Sequence, residues 1–193
     1  MDQVTHDNLE AFLSQKGEKP KIIVIYGPTA CGKTSLSIEI AKRLETEIIS
    51  VDARQVYKHL NIGTGKVTPE EMQGIVHHML DIIELDRVYS VVDFQREAEE
   101  HMRNILAKGK IPILCGGTGL YIDSLVFERS YSESTIDWDL RDELEAYRLT
   151  HGNEALWKKL HAIDPSYAET LHINNYRYVI RGIEVFTKTG ISK

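Results

Sequence analysis

The apolar positions fall into two patterns, and the change between them divides the chain. Residues 21–26 (KIIVIY) form a short β-branched run ending at Gly27, which predicts a strand buried on both faces of a parallel sheet. Leu36, Ile40 and Leu44 recur at spacing four across 33–44, the period of a helix with one apolar face. Ile48, Ile49 and Val51 then give a second strand ending at Asp52. Ser90 with Asp93 three residues later reads as a capping box opening a helix to about Lys108, with Gly109 as its stop. IPILC at 111–115 is the next buried strand. Strands alternating with helices predict an α/β fold, a parallel sheet covered on both sides. After about residue 128 the pattern is helical only, over 139–150, 154–163 and 174–188, with breaks at Gly152 and at Asp164-Pro165. The expected division is therefore a loosely held extension over 1–20, in which 7–15 could form a short helix, a core over 21–127, a small all-helical insertion over 128–172, and a helix over 173–193 returning to the core.

The chemistry collects at the predicted strand ends, where ligands sit in open parallel sheets. Gly27, Pro28, Thr29, Ala30, Cys31, Gly32, Lys33 and Thr34 match G-x-x-x-x-G-K-[ST] between a strand and a helix, the context that a phosphate-binding P-loop requires. Glycine lets the backbone N–H groups turn inward onto phosphate oxygens, and the helix N-terminus adds positive potential. Lys33 neutralises a terminal phosphate and Thr34 offers a hydroxyl to Mg2+. The sheet is thus P-loop NTPase-like, while the loop leaves open which phosphate ester it holds. IPILC ends in Gly116-Gly117-Thr118-Gly119 without an acid, so the best-placed carboxylate is Asp52, followed by Ala53-Arg54-Gln55. It could hold the metal beside Thr34, accept a proton from a nucleophile, or merely cap the segment that follows; Asp81 is a weaker competitor. GGTGLY at 116–121 would allow close approach of a ligand, with Thr118 as a hydroxyl contact. His77-His78 reads as a packing or hydrogen-bonding pair rather than a metal site, because neighbours on a strand face opposite ways.

Composition narrows the class. With 42% hydrophobic and 27% charged residues, 193 residues suffice for one sizeable core. No apolar run approaches the roughly 18 residues of a membrane span, and the first twenty residues are polar rather than signal-like, which points to the cytoplasm and to no membrane partner. Cys31 and Cys115 stand alone, giving neither a disulfide framework nor a CxxC site. A net charge of −6 argues at first against a nucleic-acid partner. The distribution softens that: residues 1–140 carry 15 basic and 22 acidic residues, and 141–188 carry seven of each, so such a surface belongs to the later part. There Asn174, Arg177, Arg181 and Lys188 share one face of the last predicted helix. No carboxylate is among these four, which favours phosphate contact over an ordinary solvated face of mixed sign. Trp157 and Tyr167 read as core residues rather than base-stacking ones.

Taken together, GPTACGKT, ISVDARQVYKHLNIGTGK, VHHMLDI, YSVVDF, IPILCGGTGLY and HINNYRYVIRGIEVFTKTGIS resemble the tRNA dimethylallyltransferase family, in family order over residues 21–192. The resemblance implies a prenyltransferase that moves a dimethylallyl group from dimethylallyl diphosphate to the exocyclic amine of the adenosine 3′ to the anticodon. It implies that the P-loop, also described in this family as an ATP site, grips the donor's diphosphate, with Lys33 on its terminal charge and Thr34 on Mg2+ or the bridging side. Asp52 matches the catalytic carboxylate. Asp52, Ala53, Arg54 and Gln55 match the segment embracing the flipped-out base. Thr118 and Arg141 match tRNA-contacting positions, and the helix carrying Asn174, Arg177 and Arg181 the one that meets the anticodon arm. A monomer is expected. Ala53 stands where the family commonly has serine and Gly65 where alanine is frequent. The family's chains run on beyond the point corresponding to Lys193, through segments that supply another diphosphate-binding arginine, so a fragment or a short form of reduced or absent activity is expected. Two other readings stay open: a P-loop small-molecule kinase, and an inactive tRNA- or nucleotide-binding homologue.

Overall fold

The computed structural model describes residues 3–127 and 136–193, with the side chains of 3 and 4 left aside. The chain divides into two compact units, Met1–Tyr131 and Ser132–Lys193. The start of the predicted insertion at 128 lies outside the described residues.

The first unit is an all-parallel four-stranded sheet in the order β1-β4-β2-β3, built from β1 (Ile23–Tyr26), β2 (Ile48–Val51), β3 (His77–His78) and β4 (Ile113–Gly116). Alternate strand residues feed two separate cores, as the two-residue side-chain period requires. Ile48 and Ile113 pack with Ile38, Ile40 and Ala41 of α2 (Lys33–Leu44) and with Leu9 of α1 (Gln3–Ser14). Ile49, Val51 and Leu114 face the other way, onto Phe94, Ala98 and Ile105 of α4 (Val91–Ala107) and Tyr121 of α5 (Gly119–Val126). The short α3 (Pro69–Met72) lies between β2 and β3 in sequence. The predicted capping box is present: the Ser90 hydroxyl accepts from the Asp93 amide, and the Asp93 carboxylate accepts from the Ser90 amide.

Two expectations need correction. All four residues of β2 are buried, but in β1 Val24 and Tyr26 are 39% and 62% exposed, because β1 ends the strand order and its outward residues lack the cover that Ile23 and Ile25 find in the α1–α2 layer. The described part of the first twenty residues is not loosely held either. Leu9 is buried, and the Lys21 ammonium donates to the carbonyls of Phe12 and Leu13, both at 2.7 Å, satisfying the carbonyl end of α1.

The second unit is helical. α6 (Trp138–Ile163) is broken at Gly152, whose φ of 87° and ψ of 168° leave the helical region, and it is followed by α7 (Pro165–Ala168) and α8 (Tyr176–Thr189). Leu144, Leu156, Leu160, Ala168, Val179, Ile180 and Ile183 form one core. The boundary drawn from sequence at residue 172 therefore divides nothing: α8 shares its core with α6 and α7. No described helix is long and apolar enough to cross a membrane.

Candidate active site

Residues 27–32 turn from the end of β1 into α2. Ala30 and Gly32 take left-handed conformations, with φ of 63° and 85°, and Gly32 is the N-cap of α2. A glycine there adopts the turn without the strain that a Cβ would add. No side chain caps α2, which leaves its anion-attracting end to the loop. The Lys33 ammonium folds over the loop, donating to the Pro28 carbonyl and lying 3.8 Å from Cys31 Sγ. Thr34, one residue on, is exposed.

Sheet register places the second part of the site. Tyr26 pairs with Gly116, and Gly116 with Val51, so the P-loop and Asp52 leave the same edge with only β4 between them. Two strand spacings separate them by about 10 Å. The glycine at the end of β4 serves this approach: a Cβ at Gly116 would stand 2.0 Å from the Val51 carbonyl oxygen. Neighbouring backbone, rather than a ligand, fills that space.

Asp52 is half-buried, and its Oδ1 accepts from the amides of Arg54 (2.9 Å) and Gln55 (3.3 Å). Such a turn fixes the carboxylate, whose second oxygen accepts no hydrogen bond among the described residues. Thr118 also belongs here, because its hydroxyl accepts from the Ala53 amide at 2.9 Å and its own amide donates to Val51 at 3.1 Å. Gln55 accepts from Ser50 Oγ (3.1 Å) and donates to the carbonyls of Thr64 and Gly65 (3.2 and 3.3 Å). The structure thus gathers Asp52, Ala53, Arg54, Gln55 and Thr118 around one turn.

Sequence reasoning missed Lys66. Its side chain is 4% exposed and donates to the Tyr57 carbonyl (2.7 Å) and to Asp81 Oδ1 (2.5 Å), so Asp81 secures the 57–66 loop. The histidine pair diverges as expected. His77 Nδ1 lies 2.9 Å from the Ile75 carbonyl, and burial pushes its pKa down. His78 Nε2 lies 2.7 Å from Glu47 and its ring stacks on His101 at 4.2 Å. Among the described residues no group of three or more His, Cys, Asp or Glu side chains could hold a metal ion.

In the second unit the predicted nucleic-acid residues part company. Glu184, absent from the stripe as read from sequence, is fully buried. It accepts from Arg141 Nε and Nη2 at 3.1 and 2.7 Å, from Arg181 Nη1 at 2.5 Å, and from the Asp137 amide at 2.7 Å. Burial alone would raise its pKa; the Arg141 guanidinium, the Asp137 amide and Arg181 outweigh that and hold it at about 2. Lys188 lies 3.4 Å from Asp137. Arg177 is exposed, 5.8 Å from the Tyr176 ring, and Asn174 accepts from Asn153 at 3.2 Å.

A family model described as IPP transferase matches residues 55–193. The chain is 50% identical over 168 residues to a tRNA dimethylallyltransferase of Acetivibrio thermocellus, covering 87% of this chain and 54% of that one. It is 47% identical over 173 residues to the enzyme of the same name from Bacillus cereus, with coverages of 90% and 55%. Among solved structures, the full-length tRNA isopentenylpyrophosphate transferase of Bacillus halodurans is similar with a TM-score of 0.59 at 45% identity, over 89% of this chain and 57% of that one. A eukaryotic dimethylallyltransferase acting on tRNA gives a TM-score of 0.75 at 34% identity, over 90% and 43%. This chain spans about half the length of the curated relatives it matches. With the family model covering well over half of its residues, the chain belongs to the IPP transferase family.

Proposed function

We propose that this chain carries the donor-binding and base-placing parts of a tRNA prenyltransferase, moving a dimethylallyl group from dimethylallyl diphosphate to the exocyclic amine of the adenosine 3′ to the anticodon. The supporting observation is the shared sheet edge: a P-loop and a turn-fixed Asp52 with one strand between them, in a chain of this family. About 10 Å of backbone separation leaves room for a planar base beside a diphosphate. Loop amides, the start of α2 and Lys33 hold the diphosphate. Thr34 would hold Mg2+ together with diphosphate oxygens and water, a fit to an ion that takes few protein ligands; bound there, the ion would offset charge on the departing group. As the allylic C–O bond breaks, its electron pair leaves with the diphosphate. The adenine nitrogen supplies the pair for the new C–N bond, and its proton passes to Asp52. The amine is a weak nucleophile, so orientation by a carboxylate pinned at Oδ1 matters more than basicity. Arg177 and Asn174 on α8 are the proposed contacts to the anticodon arm.

Mass spectrometry of nucleosides from tRNA incubated with this chain, Mg2+ and dimethylallyl diphosphate tests the reading. A dimethylallyl-adenosine product is expected, and Asp52→Ala should reduce its rate by about 10³-fold while sparing tRNA affinity. Unchanged turnover by that variant would remove Asp52 from the chemistry. ATP-dependent phosphorylation of a small hydroxyl compound, with no prenylated product, would replace the reading by a kinase.

A further inference from the structure

The helical unit carries a chain of side-chain hydrogen bonds whose direction follows from donor and acceptor chemistry. It starts at Arg148 of α6, whose Nε and Nη2 donate to Glu145 at 2.9 and 2.6 Å. The same guanidinium lies 4.2 Å from the centre of the Tyr176 ring on α8, so both helices fix its place. Its Nη1 donates to Asn153 Oδ1 at 3.3 Å. The break at Gly152 permits this contact. Residues five apart on an unbroken helix point about 140° away from each other, whereas Gly152, with φ of 87° and ψ of 168°, turns the chain through a region open to glycine. A guanidinium has donors only. Asn153 therefore offers it the amide oxygen and turns its nitrogen to Asn174, where Nδ2 donates to Oδ1 at 3.2 Å. With its oxygen engaged there, the exposed Asn174 has Nδ2 as its outward end. Its backbone is held too, the amide donating to His172 Nδ1 at 3.2 Å.

Resting on the proposed contact with the anticodon arm, we infer that Arg148 and Asn153 are positioning residues that hold the Asn174 carboxamide with its N–H2 toward the RNA, as a donor to a phosphate oxygen. Three residues on, the exposed Arg177 also offers donors only. Two neighbouring groups that can only donate suit phosphate oxygens, which only accept. A carboxamide turned the other way would set acceptor against acceptor. Neither Arg148 nor Asn153 has to touch the RNA for this, because each acts through the orientation of Asn174.

The test is a double-mutant cycle on the full chain, with affinity for unmodified tRNA followed by fluorescence anisotropy. Asn153→Asp still accepts from Arg148 but can no longer donate, so the Asn174 amide should turn its nitrogen inward and its oxygen to the RNA. Affinity is expected to fall about tenfold. In an Asn174→Ala background the same change should alter affinity by less than about twofold. An equal loss in both backgrounds overturns the inference, since the new carboxylate would then act by repelling RNA. The side-chain amide resonances of Asn174 read its orientation directly: they should move downfield in Asn153→Asp, where they meet a carboxylate. In the wild-type chain they should shift when an anticodon stem-loop RNA is added, and that titration decides alone should Asn153→Asp fail to fold. An Asn174 amide unmoved by bound RNA overturns the inference. No tRNA binding by the wild-type chain sinks the anticodon contact itself, a separable failure, because the resonances in Asn153→Asp still report the relay.

Discussion

The two units hold their polar groups by different means. In the first, the groups of the candidate site are set by backbone: left-handed Ala30 and Gly32 turn the loop, amides of Arg54 and Gln55 pin Asp52, and Gly116 lets β4 close against Val51. In the second, one buried carboxylate, Glu184, gathers Arg141, Arg181 and a backbone amide. A backbone-built site depends on a few steric permissions, whereas a network centred on one charge depends on that charge alone. A guanidinium on a predicted nucleic-acid surface can thus have a structural partner first.

The largest effect should come from removing the charge at the centre. Glu184→Gln keeps the shape and leaves two guanidiniums beside a neutral amide, a loss expected to cost about 3–5 kcal/mol. Both tryptophans of the chain, Trp138 and Trp157, lie in the second unit, and the Trp157 indole donates to Ala168 at 2.9 Å. Tryptophan fluorescence during urea unfolding therefore reports that unit, and its midpoint should fall steeply while pyrophosphate binding by the folded chain persists. A midpoint within error of wild type would mean that the network is not the unit's keystone. The converse variant is Gly116→Ala, whose new methyl would collide with the Val51 carbonyl. Overpacking against backbone should cost about 3 kcal/mol and abolish pyrophosphate binding, with the tryptophan-detected midpoint little changed.

What could be read from sequence follows the same divide. The glycine turn into α2, β2, β4 and the Ser90–Asp93 cap were legible because each is spelled by contiguous residues: glycines at turns, β-branched runs, a capping pair three apart. The exposure of Val24 and Tyr26 was not, since an edge position depends on strand order and not on the strand's own letters. Nor was the docking of α1, where Leu9 and the Lys21 ammonium act through tertiary contacts. Arg141 and Glu184 are 43 positions apart, and Lys66 and Asp81 fifteen, so no local pattern announces either pair. Even so, Glu184 stands three residues after Arg181 on the same helix, inside the span of the stripe between Arg181 and Lys188, and counting it there would have exposed the mixed sign.

Acid should separate the units next. Glu184 is held near 2 against an ordinary value of 4.5, so its stabilisation is complete above about 4.5 and is lost as the pH falls toward 2. The wild-type tryptophan midpoint should decline through that window, and Glu184→Gln, already without the charge, should lose most of this dependence. An equal decline in both proteins would assign the acid response to other carboxylates, Asp164 among them, which Ser166 and the Tyr167 amide help to keep ionised.

The smallest effect distinguishes arginines on one helix. Arg181 is tied to Glu184, whereas Arg177 is exposed, its guanidinium 5.8 Å from the Tyr176 ring. If α8 meets the anticodon arm as proposed, Arg177→Ala removes one phosphate contact without disturbing the core. The slope of log affinity for tRNA against log salt should then fall in magnitude by about one, while the tryptophan midpoint stays put. Arg181→Ala should do the reverse, lowering the midpoint by leaving Glu184 with one guanidinium fewer. If instead Arg181→Ala changes the salt slope and leaves stability intact, Glu184 is saturated by Arg141 alone and Arg181 is available to RNA. The division between structural and recognition arginines would then run between α6 and α8 rather than between the two arginines of α8.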